Sequence, residues 1–202
     1  MDYLWTPWRY GYITRSDPQA RTGVAPELSA WPVSEDKHCV FCNMLAATDY
    51  AIAHGMPSEA AERASHIVYR GRHCFICLNA YPYATGHVMV LPYFHTDSLS
   101  AAPLDAAHEM IELAQVMERA LRAIYRPDGI NLGMNLGEAA GAGVADHIHL
   151  HVLPRWTGDT NFMTVTAETR ILPETLDSTW TRLRQFLQEN ATLNPASASE
   201  PK

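Results

Sequence analysis

Three histidines occupy alternate positions in His147-Ile148-His149-Leu150-His151-Val152-Leu153, and Pro154 and Arg155 follow directly. Imidazole is the side chain whose ordinary pKa lies nearest neutrality, so such a row can move protons, bind a metal or attack an electrophile. Alternation with aliphatic residues predicts a β-strand that carries all three rings on one face. At about 3.3 Å of rise per residue, the Cα atoms of His147 and His151 lie roughly 13 Å apart. One tetrahedral ion shared by all three is therefore disfavoured, which leaves a solvated polar face or a catalytic row. His149 is the central and best flanked ring. A neutral imidazole attacks phosphorus directly when its other nitrogen is held by a hydrogen-bond acceptor, forming a phosphoramidate and dividing one displacement into two. His151 can then hold phosphate oxygens or assist the leaving group. Just upstream, GEAAGAG (137–143) supplies small residues, Gly141 and Gly143 among them, whose backbone N–H groups can approach a phosphate. Arg155 adds positive charge at the strand's end, or is an ordinary surface arginine.

The four cysteines form two CxxC pairs, Cys39/Cys42 and Cys74/Cys77. Two such pairs suggest a four-thiolate metal site, but the contexts differ. Cys74 and Cys77 lie in HCFICLN, a continuous apolar run that reads as a buried strand. Residues three apart in a strand point to opposite faces, so this pair is expected to be core. Cys39 and Cys42 follow the charged, proline-containing stretch WPVSEDK, which suits a turn entering a helix where thiolates converge. They are the better metal or redox candidates.

The elements that must position these residues follow from periodicity. HIVYR, HCFICLN and HVMVLP, separated by turn-rich segments, read as a strand meander. A long helix is expected from Pro103 to about Tyr125, with Met110, Ala114, Met117, Leu121 and Ile124 on one stripe and Pro103 in its first turn. INLGMNL and the histidine strand come next, and a helix from Pro173 to Glu189 carries Leu176, Trp180, Leu183 and Leu187. Strands, a crossing helix and further strands predict an α+β fold, an antiparallel sheet with a long helix packed on it. An N-terminal arm (1–37) precedes the main domain (38–165). A helical extension (166–190) and a small, polar, disordered tail (191–202) follow it. Acidic residues outnumber Lys and Arg by 22 to 15, a formal charge of −7, which argues against a long nucleic acid as partner. No run approaches the ~18–20 apolar residues of a membrane span, and the start has no secretory signal pattern. A cytoplasmic protein is the expectation.

The ordered motifs together resemble those of the histidine triad (HIT) family of nucleotide hydrolases and transferases. His147 to Leu153 has its His-φ-His-φ-His-φ-φ signature. Leu78-Asn79-Ala80-Tyr81-Pro82 with Gly86-His87-Val88-Met89-Val90-Leu91-Pro92 is similar to the nucleoside-binding strand pair, and Met134-Asn135-Leu136-Gly137 to the strand facing the phosphates. LWTPWRYGYI and PRWTGDTNF are similar to the branch acting on diadenosine polyphosphates, which includes diadenosine tetraphosphate phosphorylases. The resemblance implies a HIT-like fold and an enzyme that cleaves a nucleoside phosphoanhydride through a nucleotidyl-histidine intermediate. It implies His149 as nucleophile, His151 as the group that contacts phosphate and assists departure, Asn79 on the ribose, His87 supporting the catalytic strand, and Asn135 facing the phosphates. It further implies structural zinc on Cys39, Cys42, His95 and His147, an adenine-containing nucleotide as substrate, and a homodimer built on the long helix and a core strand.

One departure stands out. Many relatives have Gly-Gln-Ser/Thr-Val and one residue before the first triad histidine, whereas this chain reads Gly141-Ala142-Gly143-Val144-Ala145-Asp146-His147. The loop is one residue longer and lacks the glutamine and hydroxyl, which leaves the protonation of the leaving group unassigned. Water and inorganic phosphate remain alternative acceptors, the latter making the enzyme a diadenosine tetraphosphate phosphorylase. Two readings compete with the enzyme: a nucleotide-binding module with little turnover, and a zinc hydrolase with the metal on the triad, which the strand spacing disfavours.

Overall fold

The structure, a computed structural model, describes residues 22–159 and 173–190. The opening LWTPWRYGYI, the end of PRWTGDTNF and the proposed tail lie outside the described residues. Five strands, β1 (Ile67–Arg70), β2 (Cys74–Leu78), β3 (Val88–Pro92), β4 (Gly129–Met134) and β5 (Leu150–Arg155), form one sheet in the order β1-β2-β3-β5-β4. Every pairing is antiparallel. Among the described residues four α-helices surround it: α1 (Val40–Ala53), α2 (Ser58–Ala64), α3 (Leu104–Tyr125) and α4 (Leu176–Glu189). The architecture is the expected α+β one.

Strands β2 and β3 are buried along their whole length because both faces of the sheet are covered. On one face Ile76, Val88, Val90, Ile148, Leu150 and Val152 pack with α3 and α4. On the other, Phe75, Cys77, Met89 and Leu91 meet Phe41, Met44 and Leu45 of α1. Cys74 and Cys77 thus fall on opposite sides of the sheet, both buried. Met110, Ala114, Met117 and Leu121 of α3 are buried within the chain itself, so that stripe is not available to a second subunit. Residues 22–37 pack on the domain through Leu28 and Trp31, against Ala47 of α1 and Ala61 of α2.

Three boundaries differ from expectation. Pro103 is the N-cap of α3 and lies just outside its first turn, and α4 begins at Leu176, where the Thr175 hydroxyl accepts the Ser178 N–H at 3.2 Å. Strand β5 begins at Leu150 and not at His147. The cause is local. The Ile148 N–H donates to the Thr96 carbonyl at 2.8 Å, and the His147 carbonyl accepts from the His149 ring, so neither group joins the sheet ladder. α4 is docked by Trp180, which is buried, donates its Nε1–H to the Ile67 carbonyl at 2.7 Å and has the guanidinium groups of Arg63 and Arg184 at 5.3 and 5.5 Å from its ring centroid.

Candidate functional site

Ile148, Leu150 and Val152 are drawn into the core beneath α3, so His147, His149 and His151 turn to the opposite face. Their protonation follows from backbone groups that have only one role to play. A carbonyl can only accept, so His149 Nδ1 carries the proton it donates to the His147 oxygen at 2.8 Å. In the neutral ring this leaves the lone pair on Nε2. His149 is 4% exposed, and burial lowers its pKa, opposed in part by that hydrogen bond. Phe41 walls the ring at a centroid distance of 5.3 Å.

A second relay sets His151. The Tyr83 backbone N–H can only donate, and it reaches His87 Nδ1 at 3.1 Å, with Asn79 Nδ2 at 3.4 Å from the same atom. His87 therefore holds its proton on Nε2 and donates it to His151 Nδ1 at 2.9 Å. Neutral His151 then carries its own proton on Nε2. The rings of His149 and His151 meet edge to face, 4.8 Å between centroids. One ring thus offers a lone pair and its neighbour an N–H, the pairing that suits nucleophilic attack with stabilisation of a departing anion.

His149 and His151 open into a cleft of about 1710 Å³, which Asn79, Asn135, Gly141 and Gly143 also line. That exceeds the ~300–1,000 Å³ of ordinary small-ligand pockets, so an extended ligand fits. His87 stands behind His151, 1% exposed and not on the cleft wall. Asn135 Nδ2 donates to the Gly141 carbonyl at 3.4 Å. The glycine-rich loop is less open than its sequence implies. The amides of Ala140, Gly141 and Ala142 donate to carbonyls of Gly137 and Glu138, while those of Gly143 and Val144 have no acceptor among the described residues. Arg155 is not brought to the cleft; it pairs with Asp159 and donates to Asn131 Oδ1 at 2.9 Å. No motif in the sequence marks Phe41, the Tyr83 amide or the Pro92 carbonyl as part of the site; of the three, only Phe41, an apolar residue inside a CxxC pair, carries a readable signal.

Behind the cleft, Cys39, Cys42, His95 and His147 gather their donor atoms within 4.8 Å of one another. Asn43 sets the entry to α1: its side chain accepts the Lys37 N–H at 2.7 Å and donates to Asp36 at 2.7 Å, holding that carboxyl below the usual carboxylate range. Cys39 is the helix N-cap, and Cys42 follows three residues later, so both thiols face one point. The two Nδ1 atoms are 3.4 Å apart, and Sγ–Nδ1 separations run from 3.4 Å (Cys39–His147 and Cys42–His95) to 3.6 Å (Cys42–His147). Tetrahedral zinc would place two nitrogens about 3.3 Å apart and a nitrogen and sulfur about 3.6 Å apart. His147 Nε2–H donates to the Pro92 carbonyl at 2.9 Å, which turns its Nδ1 lone pair toward the cluster. Burial and the Cys39 thiol push Cys42 up to about 12, and burial takes His147 down to about 4. The donor set fits a closed four-coordinate metal site.

Comparison with known proteins agrees with this geometry. Residues 60–158 match the HIT domain. The chain is 31% identical to the AP-4-A phosphorylase of Mycobacterium tuberculosis over 180 residues, 87% of this chain and 79% of that one. It is 34% identical to an uncharacterized HIT-like protein of the same organism over 60% of this chain and 74% of the relative. Among solved structures, a zinc-bound histidine triad family protein from Mycobacterium smegmatis superposes with a TM-score of 0.55 at 28% identity, covering 76% of this chain and 96% of that one.

Proposed function

The chain belongs to the histidine triad family, and from that premise we propose that it is a nucleotidyl-transfer enzyme cleaving an adenine-containing dinucleoside polyphosphate through His149. The observation that carries the reading is the pairing of a lone pair on His149 Nε2 with a proton on His151 Nε2, each assigned by a hydrogen bond to the ring's other nitrogen. In the first step His149 Nε2 attacks the α-phosphorus, the P–N bond forms, and the bridging P–O bond breaks. The polyphosphate departs as an anion stabilised by the His151 N–H. In the second step an oxygen of water or inorganic phosphate attacks the same phosphorus, the P–N bond breaks, and His149 is regenerated. The likeness to a protein named AP-4-A phosphorylase favours phosphate as acceptor. Asn79, Asn135 and the amides of Gly143 and Val144, which have no acceptor among the described residues, supply contacts to ribose and phosphate.

Zinc is the ion assigned to Cys39, Cys42, His95 and His147, on the donor spacings and on the likeness to a zinc-bound relative. When bound it supplies the positive charge that holds two thiolates together and ties the start of α1 to the loops bearing His95 and His147. The four protein ligands leave no open position, so the histidines and not the ion perform the chemistry. The same reading includes a homodimer, supported by Ile111 of α3 (55% exposed) and Leu132 on the edge strand β4 (50% exposed). No helix among the described residues is long and apolar enough to cross a membrane. The cytoplasm is the compartment proposed, since a site with two thiolate ligands needs reduced cysteines.

The test is a stopped reaction on diadenosine tetraphosphate with and without inorganic phosphate, comparing wild type with His149→Ala. ADP plus ATP formed only with phosphate establishes a phosphorylase; AMP plus ATP without it establishes a hydrolase. An inert wild type, or a His149→Ala protein that matches it, overturns the reading.

A further inference from the structure

The cleft does not end where the apolar residues beside the histidines end. His151, Met89, Cys77 and Ile67 form one row of Cα partners across β5, β3, β2 and β1. Three strand spacings, about 14 Å, separate the ends of that row. His66 stands just before Ile67, and it lines the same cleft as His149. Between the two lie apolar side chains, Phe41, Met44, Cys77 and Met89. The far end is polar again: Glu27, Arg63, His66 and Asp177 all reach it. Glu27 and Asp177 lie outside residues 60–158, the part that matches the family domain. Both carboxylates of this end therefore come from segments that flank the matched domain.

His66 is held firmly there. Its backbone takes a left-handed conformation (φ 58°), its N–H donates to the Arg63 carbonyl at 3.1 Å, and its carbonyl accepts the Leu78 N–H at 3.0 Å. A side-chain-bearing residue in that region is uncommon and persists where its surroundings impose it. The half-buried ring has no hydrogen-bond partner among the described residues. Burial lowers its pKa, against the smaller opposing influence of Glu27 and Asp177. Asp177 is engaged by the guanidinium of Arg63, which leaves Glu27 as the carboxylate open to a ligand. The strap bearing Glu27 is pinned by Gly23: a Cβ there would stand 2.1 Å from the Val40 carbonyl oxygen, so only glycine allows the strap this close to α1.

We propose that His66 and Glu27 read the edge of the nucleobase and select a purine bearing an exocyclic amino group. The proposal rests on the reading that a nucleotide lies with its α-phosphate at His149. The base then sits in the apolar middle of the cleft, and its far edge arrives at the polar end. A carboxylate is an acceptor only and takes a hydrogen from an exocyclic amine, while imidazole donates to a ring nitrogen. A base without the amine leaves the carboxylate unmatched.

Calorimetric titration tests this with three probes: AMP, purine ribonucleoside 5′-monophosphate, which lacks only the 6-amino group, and ribose 5-phosphate, which lacks the base. Wild type is expected to bind AMP about tenfold or more tightly over the des-amino nucleotide. In Glu27→Ala, an exposed position, and in His66→Gly, which accepts the left-handed backbone, the ratio falls to within about threefold, while ribose 5-phosphate binds all three proteins alike. No discrimination by wild type, or a full ratio kept by both variants, overturns base reading alone, provided that diadenosine tetraphosphate is still turned over through His149. Failure of every nucleotide to bind overturns both this proposal and the functional reading beneath it.

Discussion

Replacing His87 with leucine removes the N–H that reaches His151 Nδ1 and the acceptor that receives the Tyr83 amide, while filling much of the same buried volume. His87 is buried behind His151 and does not line the cleft, so its effect on turnover is that of a positioning residue. In wild type it fixes His151 with the proton on Nε2. As negative charge gathers on the leaving oxygen, the His87–His151 hydrogen bond strengthens, because its acceptor is being polarised. A hydrogen bond to a charged group contributes about 1.5–3 kcal/mol, which corresponds to roughly 10- to 150-fold in rate. His87→Leu is therefore expected to lower kcat on diadenosine tetraphosphate by that factor with KM changed little, because the lost interaction matters most in the transition state. His87→Gln, whose amide both accepts and donates, should recover most of the loss. Steady-state kinetics on the three proteins, with thermal melts to confirm folding, decide the matter. Equal kcat for the leucine and glutamine variants in well-folded protein, or a loss confined to KM, would refute the relay.

Three further outcomes are expected. Trp180→Ala should cost about 3–5 kcal/mol, read as a lower urea midpoint at unchanged slope; a cost under about 1 kcal/mol would mean that α4 is not held by this ring. Gly86→Ala should destabilise by about 1–3 kcal/mol, because Gly86 has φ 80° and its added Cβ would lie 2.9 Å from Leu121 Cδ2 and 3.0 Å from Tyr125 Cε2; an unchanged melting temperature would show that these side chains move aside freely. Chelation of bound zinc should lower the melting temperature first, with activity falling only as the protein unfolds; immediate loss of turnover in protein that is still folded would place the ion in the chemistry.

Much of this arrangement was legible because it depends on side-chain type at fixed period. The alternation of histidine with aliphatic residues set one face of the 147–153 segment against the other, and the stripe on α3 marked the partner of that second face. The two CxxC pairs separated correctly because a strand and a helix start aim positions three apart in different directions. What stayed hidden depends on the backbone. The carbonyls of His147 and Pro92 and the amide of Tyr83 assign the protons on the rings that face them, yet every residue has a carbonyl and nearly every one an amide. The GEAAGAG loop read as a row of available amides, but three of them close its own turn. Arg155 read equally as charge at the strand's end or as a surface arginine, and only the fold shows Asp159, four residues on, turning back onto it. His66 lacked a motif of any kind; its importance lies in a left-handed backbone and in neighbours 39 and 111 residues away, Glu27 and Asp177.

The sheet separates two tasks along a single segment. Ile148, Leu150 and Val152 face α3, whereas His147, His149 and His151 between them face the cleft and the metal cluster. Neighbouring residues in this stretch therefore carry different burdens. Changes at the aliphatic positions act on whether the chain folds, changes at His149 and His151 on what the folded chain can do, and changes at His147 on both, because that ring belongs to the metal cluster. A lineage can accordingly trade one aliphatic residue for another under α3 without disturbing reactivity. Replacing His149 or His151 likewise changes the wall of the cleft while leaving the aliphatic side chains beneath α3 in place.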